Sequence, residues 1–469
     1  MMKVQTEAAG VGTLQECAIP AASKGGEPRA AIAAVLASMV LVVLDAGIAN
    51  VALPTISGAM QVSPSKAVWV VTAYQAALVM GLLPCAAWGD HLGHRRVFTF
   101  GVALFAVASA LCACAPSLQW LVAARFVQGL GGSAVMALGI ALLRAVVPHH
   151  RLGAAIGWNA LAVALSSAAG PTIGALILTG WSWHWLFALN LPLGAAVLWA
   201  ARALPVGNGS GQRLDRFSAA LNAGSLASLV IGAELLLHAP VLAAVMIVAA
   251  ASGLAVLVRR ELPKKSPLVP LDLLRSRPFR ISVLASVSCF AGTTAGLMAL
   301  PFYLQHSLGQ SALMTGLYLT PWPLTVAVAA PLAGRLSDRV SSAWLCVTGA
   351  ALLTVGLAAA ALLRWEGQAH LLVAMTVVCG LGFGLFQVPN NRNMLLSAPL
   401  HRSGAAGGMQ GTARLMGQTA GSVIASLLFG AVTADMAPKL SLGIAAALTS
   451  IAAVISLMRT GGCSDPTSE

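Results

Sequence analysis

Apolar runs of about twenty residues follow one another along almost the whole chain, parted by short polar stretches. A helix needs ~20 mostly apolar residues to cross a bilayer, so runs of this length read as membrane spans rather than as core helices of a soluble domain. They fall at about residues 30–53, 66–88, 96–115, 118–143, 153–178, 185–203, 217–238, 241–258, 281–305, 311–334, 342–363, 370–390, 404–430 and 440–458. The faintest divisions lie between spans 5 and 6, around Trp181 to Trp185, and between spans 7 and 8, where His238-Ala239-Pro240 alone interrupts the run. The fold class predicted is all-α and transmembrane, with fourteen spans.

Composition supports the bilayer as solvent. Of 469 residues, 58% are hydrophobic and 9% charged, whereas a soluble chain carries roughly 25% charged residues. The net charge of +13 raises the question of a nucleic-acid partner, and the positions of the charges answer it. With the N-terminus placed in the cytosol, the inner segments hold 22 of the 27 basic residues, among them seven from Arg259 to Arg280; the outer loops hold Lys66, Arg364 and Lys439, and Arg125 and Arg414 lie within spans. Cytoplasmic loops are enriched in Lys and Arg, so the charge is a topology signal. It puts both termini inside and supports an even span count. The first 29 residues, which include Glu7, Glu16 and Glu27 and no apolar core, read as a disordered cytosolic tail rather than a cleaved leader. Most of the eight cysteines lie in apolar runs, and no cysteine or histidine spacing suggests a metal.

The chain repeats itself. Gly89-Asp90-His91-Leu92-Gly93-His94-Arg95-Arg96 follows span 2, and Gly334-Arg335-Leu336-Ser337-Asp338-Arg339 follows span 10. Residues 30–203 and 281–458 then form two six-helix halves, residues 204–258 a linker with inserted spans 7 and 8, residues 259–280 a basic cytosolic loop, and residues 459–469 a second cytosolic tail. Parallel six-helix repeats with a midplane site between them are a common transporter build.

The loop after span 2 resembles the cytoplasmic loop motif of the major facilitator superfamily. Within that superfamily several stretches resemble the fourteen-helix drug:proton antiporters. These are Leu44-Asp45-Ala46-Gly47-Ile48-Ala49-Asn50 to Pro54 in span 1, Trp69 to Tyr74 in span 2, Arg125-Phe126-Val127-Gln128-Gly129 to Gly132 in span 4, and Gly170-Pro171-Thr172-Ile173-Gly174 in span 5. Trp183 to Pro192 in span 6 (with His184 where the family usually has Arg), Leu300 to Gln305 in span 9 and Arg414 in span 13 extend the likeness over residues 35–458. The resemblance implies the major facilitator fold. It implies that Gly89, Asp90, Gly93, Arg95 and Arg96, with Asp338 and Arg339, form conformational latches: the Asp would cap a neighbouring helix and the arginines would hold the halves together on the inner side. It also implies that Gly170, Pro171 and Gly174 seal the outer cavity in an exporter. Proline bends a helix, and small residues four apart admit a close neighbour.

Four charged residues fall within spans: Asp45, Arg125, Glu234 and Arg414. A charge at mid-membrane costs ~2.5–3.5 kcal/mol on insertion scales and usually faces a partner or a cavity. Asp45 lies about eight residues from the outer end of span 1 and Arg125 about seven from that of span 4, which puts both roughly 10–12 Å deep at 1.5 Å per residue. Opposite charges at one depth can couple, directly or through Gln128. A carboxylate that alternates between a cation and a desolvated cavity changes its proton affinity, so Asp45 is the expected proton site and Arg125 the residue that tunes it. Glu234, near an outer end, reads as an interfacial acid. The cavity is expected to be lined by Asn50, Trp69, Tyr74, Gln75, Gln128, Asn159, Tyr318, Trp322, Gln387, Asn390 and Arg414.

The expected function is a proton-coupled secondary transporter of the inner (cytoplasmic) membrane. By alternating access it would export a hydrophobic or amphipathic drug or toxic metabolite, as a transporter and not an enzyme, working as a monomer in lipid with protons and the substrate as its partners and no nucleic acid or cofactor. A proton symporter importing a small organic solute is the alternative. The family's quaternary-ammonium exporters often carry further membrane acids in the second half, and here spans 9 to 13 carry none. That argues against divalent cations and leaves a monocation or a neutral lipophile.

Overall fold

The computed structural model describes residues 28–206, 215–236, 239–262, 273–337, 339–362, 372–398, 403–433 and 435–459. Asp338 and most of both expected tails lie outside these residues, as does the side chain of Glu234. Among the described residues every regular element is helical. In the first half these are α1 (Pro28–Ala59), α2 (Pro64–Leu92), α3 (His94–Ala113), α4 (Leu118–Val146), α5 (His149–Gly180) and α6 (His184–Ala203). The inserted pair is α7 (Arg216–Leu235) and α8 (Pro240–Glu261). The second half holds α9 (Arg277–Ser307), α10 (Ala312–Leu336), α11 (Ser342–Leu362), α12 (Leu372–Leu396), α13 (Ser403–Ala431) and α14 (Ala437–Leu457).

Eleven of these helices are long and apolar enough to cross a membrane, and Leu165–Gly180 of α5 and Phe217–Ala233 of α7 are shorter apolar stretches. Helices α5 and α13 hold corresponding places in the halves. Each packs along the first helix of its half, α5 on α1 and α13 on α9. Each also faces the other half, α5 against α10 and α13 against α2.

The expected basic loop 259–280 is shorter than its charges suggest. Arg259 and Arg260 continue α8 as its last turn, where cations suit the helix dipole, and Pro278 lies in the first turn of α9, which begins at Arg277. The turn between α2 and α3 is likewise tighter than a loop. Asp90 and Leu92 belong to α2, and the chain reverses at Gly93, whose φ of 96° favours glycine.

The halves are built alike. In both, the second helix packs on the fourth, the third on the fourth, and the first on the fifth. The same glycines make the approaches. A Cβ on Gly131 of α4 would meet Phe105 N of α3 at 2.6 Å, and one on Gly382 of α12 would meet Leu353 N of α11 at 2.5 Å. Gly129 abuts the backbone of Tyr74, and Gly380 that of Trp322.

Contacts between the halves gather toward the face opposite the start of α1 and the end of α14. There Ser65 Oγ donates to the Ser426 carbonyl at 3.1 Å, Ser426 Oγ donates to the Ser65 carbonyl at 3.3 Å, and the Thr172 and Thr320 hydroxyls bond each other. Toward the face that carries the chain ends, Gly407 and Gly408 of α13 have no neighbour within 4 Å of an added Cβ, and Ala33 and Ala37 of α1 are exposed. The seam is closed at one face and opens toward the other.

Candidate functional site

Asp45 and Arg125 meet directly. Arg125 Nη1 donates to Asp45 Oδ2 at 2.5 Å, and both side chains are buried. The shared depth inferred from helix arithmetic is therefore a contact, with no bridging group required. Around it, Gln128 Nε2 donates to Asp45 Oδ1 at 3.0 Å and to Ser109 Oγ at 2.8 Å. Asn190 Nδ2 donates to Asp45 Oδ1 at 2.6 Å, and Arg125 Nη1 also reaches Gln128 Oε1 at 2.6 Å. Arg125 Nε donates to the Val70 carbonyl at 3.1 Å. The guanidinium stacks on the Tyr74 ring with its carbon 4.1 Å from the centroid, and Phe187 flanks it at 5.5 Å. Tyr74 is fixed in turn by its hydroxyl, which donates to the Val42 carbonyl at 3.2 Å.

The network thus joins α1, α2, α3, α4 and α6 inside the first half. Its polar atoms offset part of the cost of burying two charges. Two do not find partners: Arg125 Nη2 and Asn190 Oδ1 are buried without a hydrogen bond. Such groups carry a penalty of ~1–3 kcal/mol each, which a rearrangement of the pair could relieve.

Several expected cavity residues belong elsewhere. Tyr74 and Gln128 are fully buried within this network, so they line no cavity in this state. Trp322 is buried in the second half, against Gly380. Asn390 is buried too; its Nδ2 donates to the Ser282 carbonyl at 3.0 Å and its Oδ1 accepts from Arg459 at 3.2 Å, which ties α12 to α9 and to the end of α14. The physical reason is common to all four: a polar or aromatic side chain within a bundle finds its partners in its own half. Asn50, Trp69, Asn159, Tyr318, Gln387 and Arg414 remain partly accessible, and Gln75 is buried. The Asn50, Gln75 and Asn159 side-chain oxygens and Arg414 Nε lie buried without partners. Asn50 follows Asp45 by five residues, so it projects about 140° away around α1, on the side of Gly47 and Val51 that packs toward α5 and the second half.

Gly170, Pro171 and Gly174 stand at a junction of three helices. A Cβ on Gly170 would lie 3.1 Å from Gly47 Cα, and one on Gly174 3.3 Å from Ile48 Cα, so α5 touches the backbone of α1. On the other side, a Cβ on Gly316 of α10 would lie 2.8 Å from the Pro171 carbonyl oxygen. The motif therefore faces the second half, as the resemblance implies. The latch is different. Asp90 Oδ1 meets His94 Nε2 at 3.0 Å across the α2–α3 turn, while Arg95, Arg96 and Arg339 form no ion pair among the described residues.

Sequence reasoning missed Asn190 and Ser109 as members of the network. Asn190 lies in the stretch Trp183 to Pro192 that carries part of the resemblance. A polar amide in mid-span was its only signal, overlooked because it carries no charge. Ser109 gave no signal, since serine is common within membrane helices.

Comparison with known proteins agrees with this architecture. The Major Facilitator Superfamily profile matches residues 35–422. The chain is 43% identical over 436 residues to the uncharacterized transporter YebQ of Escherichia coli (strain K12), covering 92% of this chain and 95% of that protein. It is 31% identical over 409 residues to the multidrug resistance protein Stp of Mycobacterium tuberculosis (strain CDC 1551 / Oshkosh), covering 85% of this chain and 76% of that one. A crystal structure of a POT family transporter in complex with a thioalcohol-conjugated peptide superposes with a TM-score of 0.71 at 15% identity, over 92% of this chain and 96% of that one; it bears on the fold alone. With a paired six-helix build, a buried charge pair in one half and a sequence profile over most of its length, this chain is a multi-pass membrane transporter that belongs to the major facilitator superfamily.

Proposed function

We propose that the chain exports hydrophobic or amphipathic organic compounds, drugs or toxic metabolites among them, in exchange for protons. It would do so across the inner (cytoplasmic) membrane with fourteen spans and both termini in the cytosol. The observation that carries this reading is the Asp45–Arg125 pair. It is buried among Gln128, Asn190 and Tyr74, yet two of its neighbouring polar atoms lack partners. A carboxylate held by a cation in one state and released from it in another takes up a proton when the cation withdraws. Rocking of the halves about the α5–α10 and α2–α13 seams would pull on α1, which packs on both α5 and α9, and a shift of α1 against α4 within the first half would couple the proton to access. The Gly170-Pro171-x-x-Gly174 junction supports export, because it packs α5 on α1 and on α10 of the other half, where a seal on the outer side would lie with both termini in the cytosol. The multidrug resistance protein among the relatives supports the substrate class.

The test is accumulation of a panel of amphipathic dyes and antibiotics in cells lacking their own exporters. The wild-type chain is expected to lower accumulation of at least one compound, an uncoupler to restore it, and Asp45→Asn to behave like the empty strain. Full gradient-driven export by Asp45→Asn would exclude the coupling role. Raised accumulation with the wild-type chain would make it an importer.

A further inference from the structure

Charge in the space between the halves has the opposite sign from the one the sequence suggests. Asp45 is the acid that the sequence offers to a cavity, and the structure turns it toward α4 and α6. Both its oxygens are taken, Oδ2 by Arg125 and Oδ1 by Gln128 and Asn190. The second half offers no acid on the helices that face the first.

What remains is Arg414, in the middle of α13. Its guanidinium makes no hydrogen bond or ion pair with any described residue, and its Nε is buried. Helix geometry sets its direction. Gly417 and Gly421 face α9, at Val287 and Ala291, whereas Gly411 and Ser426 face α2, at Leu82 and Ser65. At about 100° per residue, Arg414 falls between those two faces, in line with Gly407, Gln418 and Ala425. Ala425 packs into the cluster that holds Ile48 and Ala52 of α1, so this line points to the centre of the molecule. Two turns toward the chain-end face, Gly407 leaves open space on the same line. The antiparallel register of α2 and α13 brings Arg414 to about the level of Leu78, within a turn of Gln75, whose Oε1 is also buried and unpartnered. A buried cation without an anion is costly. A site that holds one ready is completed by a ligand that brings the negative charge, and Arg binds planar carboxylates or sulfonates through two donors.

We propose that Arg414 is the recognition residue of the central cavity and that the transported compound is an amphipathic organic anion, its acidic group on Arg414 and its apolar body among the surrounding side chains. This deepens the exporter reading, and it rests on that reading only for the existence of a transported substrate.

The test is equilibrium binding to the full chain in nanodiscs, with no gradient, using three probes that share one ring system: 2-naphthoate, 2-naphthylmethanol and 2-naphthylmethylammonium. The wild type is expected to bind naphthoate at least tenfold more tightly than the other two. Arg414→Gln is expected to abolish that preference, Arg414→Lys to retain it within about threefold, and Arg414→Glu to favour the ammonium probe. The wild-type comparison stands even if a variant does not fold. Equal occupancy by the three probes, tighter binding of the ammonium, or unchanged preference in a folded Arg414→Gln overturns the proposal. A lack of proton coupling, by contrast, shows only in transport by Asp45→Asn, so the two readings fail separately.

Discussion

The two halves share a backbone and differ in what they bury. Arg125 and Gln128 lie four and one residues before Gly129, the α4 glycine that abuts Tyr74. Thr376 and Cys379 lie four and one residues before Gly380, the α12 glycine that abuts Trp322. The likeness extends to one hydrogen bond. Arg125 Nε donates to the Val70 carbonyl of α2 at 3.1 Å, and Thr376 Oγ1 donates to the Tyr318 carbonyl of α10 at 3.2 Å. Where the first half continues from that bond into a charged network, the second has a thiol, Cys379, 4.0 Å from the Leu353 carbonyl. Close helix packing is thus common to both repeats, while a buried charge pair is found in the first alone among the described residues.

The sharpest way to break that comparison is to remove the side chain that makes this bond in each half. Arg125→Met leaves Asp45 buried without its counter-charge and is expected to destabilise the chain by about 3–5 kcal/mol. Thr376→Val, at the equivalent place, loses one neutral hydrogen bond worth about 1 kcal/mol. Thermal unfolding in detergent compares the two, and similar shifts would mean that the halves do not differ as described. Next in size are the shared glycines. Gly131→Ala and Gly382→Ala each force a methyl against a facing backbone nitrogen, and each is expected to cost about 1–3 kcal/mol. Here the expectation is equality, and a large difference in melting temperature would show that the packing is not duplicated. Asp45→Asn is expected to cost less stability than Arg125→Met, because an amide still accepts from Arg125, yet to abolish uncoupler-sensitive export. The smallest effect is expected from Cys112→Ser. Its thiol only approaches Gln128 Oε1 at 3.7 Å, and the variant should keep transport within about twofold with a stability change under ~1 kcal/mol.

Legibility followed the strength of the physical constraint. Bilayer thickness sets the length of each apolar run, and the cost of moving charged loops across the membrane sets their sides, so helix positions could be read to within a few residues. The α8 and α9 ends were misjudged because arginine is taken for loop where it suits the end of a helix. Asp45 and Arg125 were found because mid-membrane charge is rare. Asn190 was not, because an uncharged amide in a span carries little signal until its partner is known.

Taken alone, the amino-acid sequence determined that the chain lies in a membrane, that it is a duplicated helical bundle with an inserted pair, and which few residues violate its apolar character. Hydropathy, charge segregation and internal repetition are one-dimensional, and they survive without coordinates. The tertiary structure decided which way those few residues face. Helix rotation depends on packing against neighbours that are distant in the chain: Gly47 on Gly170 and Gly417 on Val287 turn α1 and α13. That rotation closes Asp45 within its own half and sets Arg414 between the face of α13 that packs on α9 and the face that packs on α2.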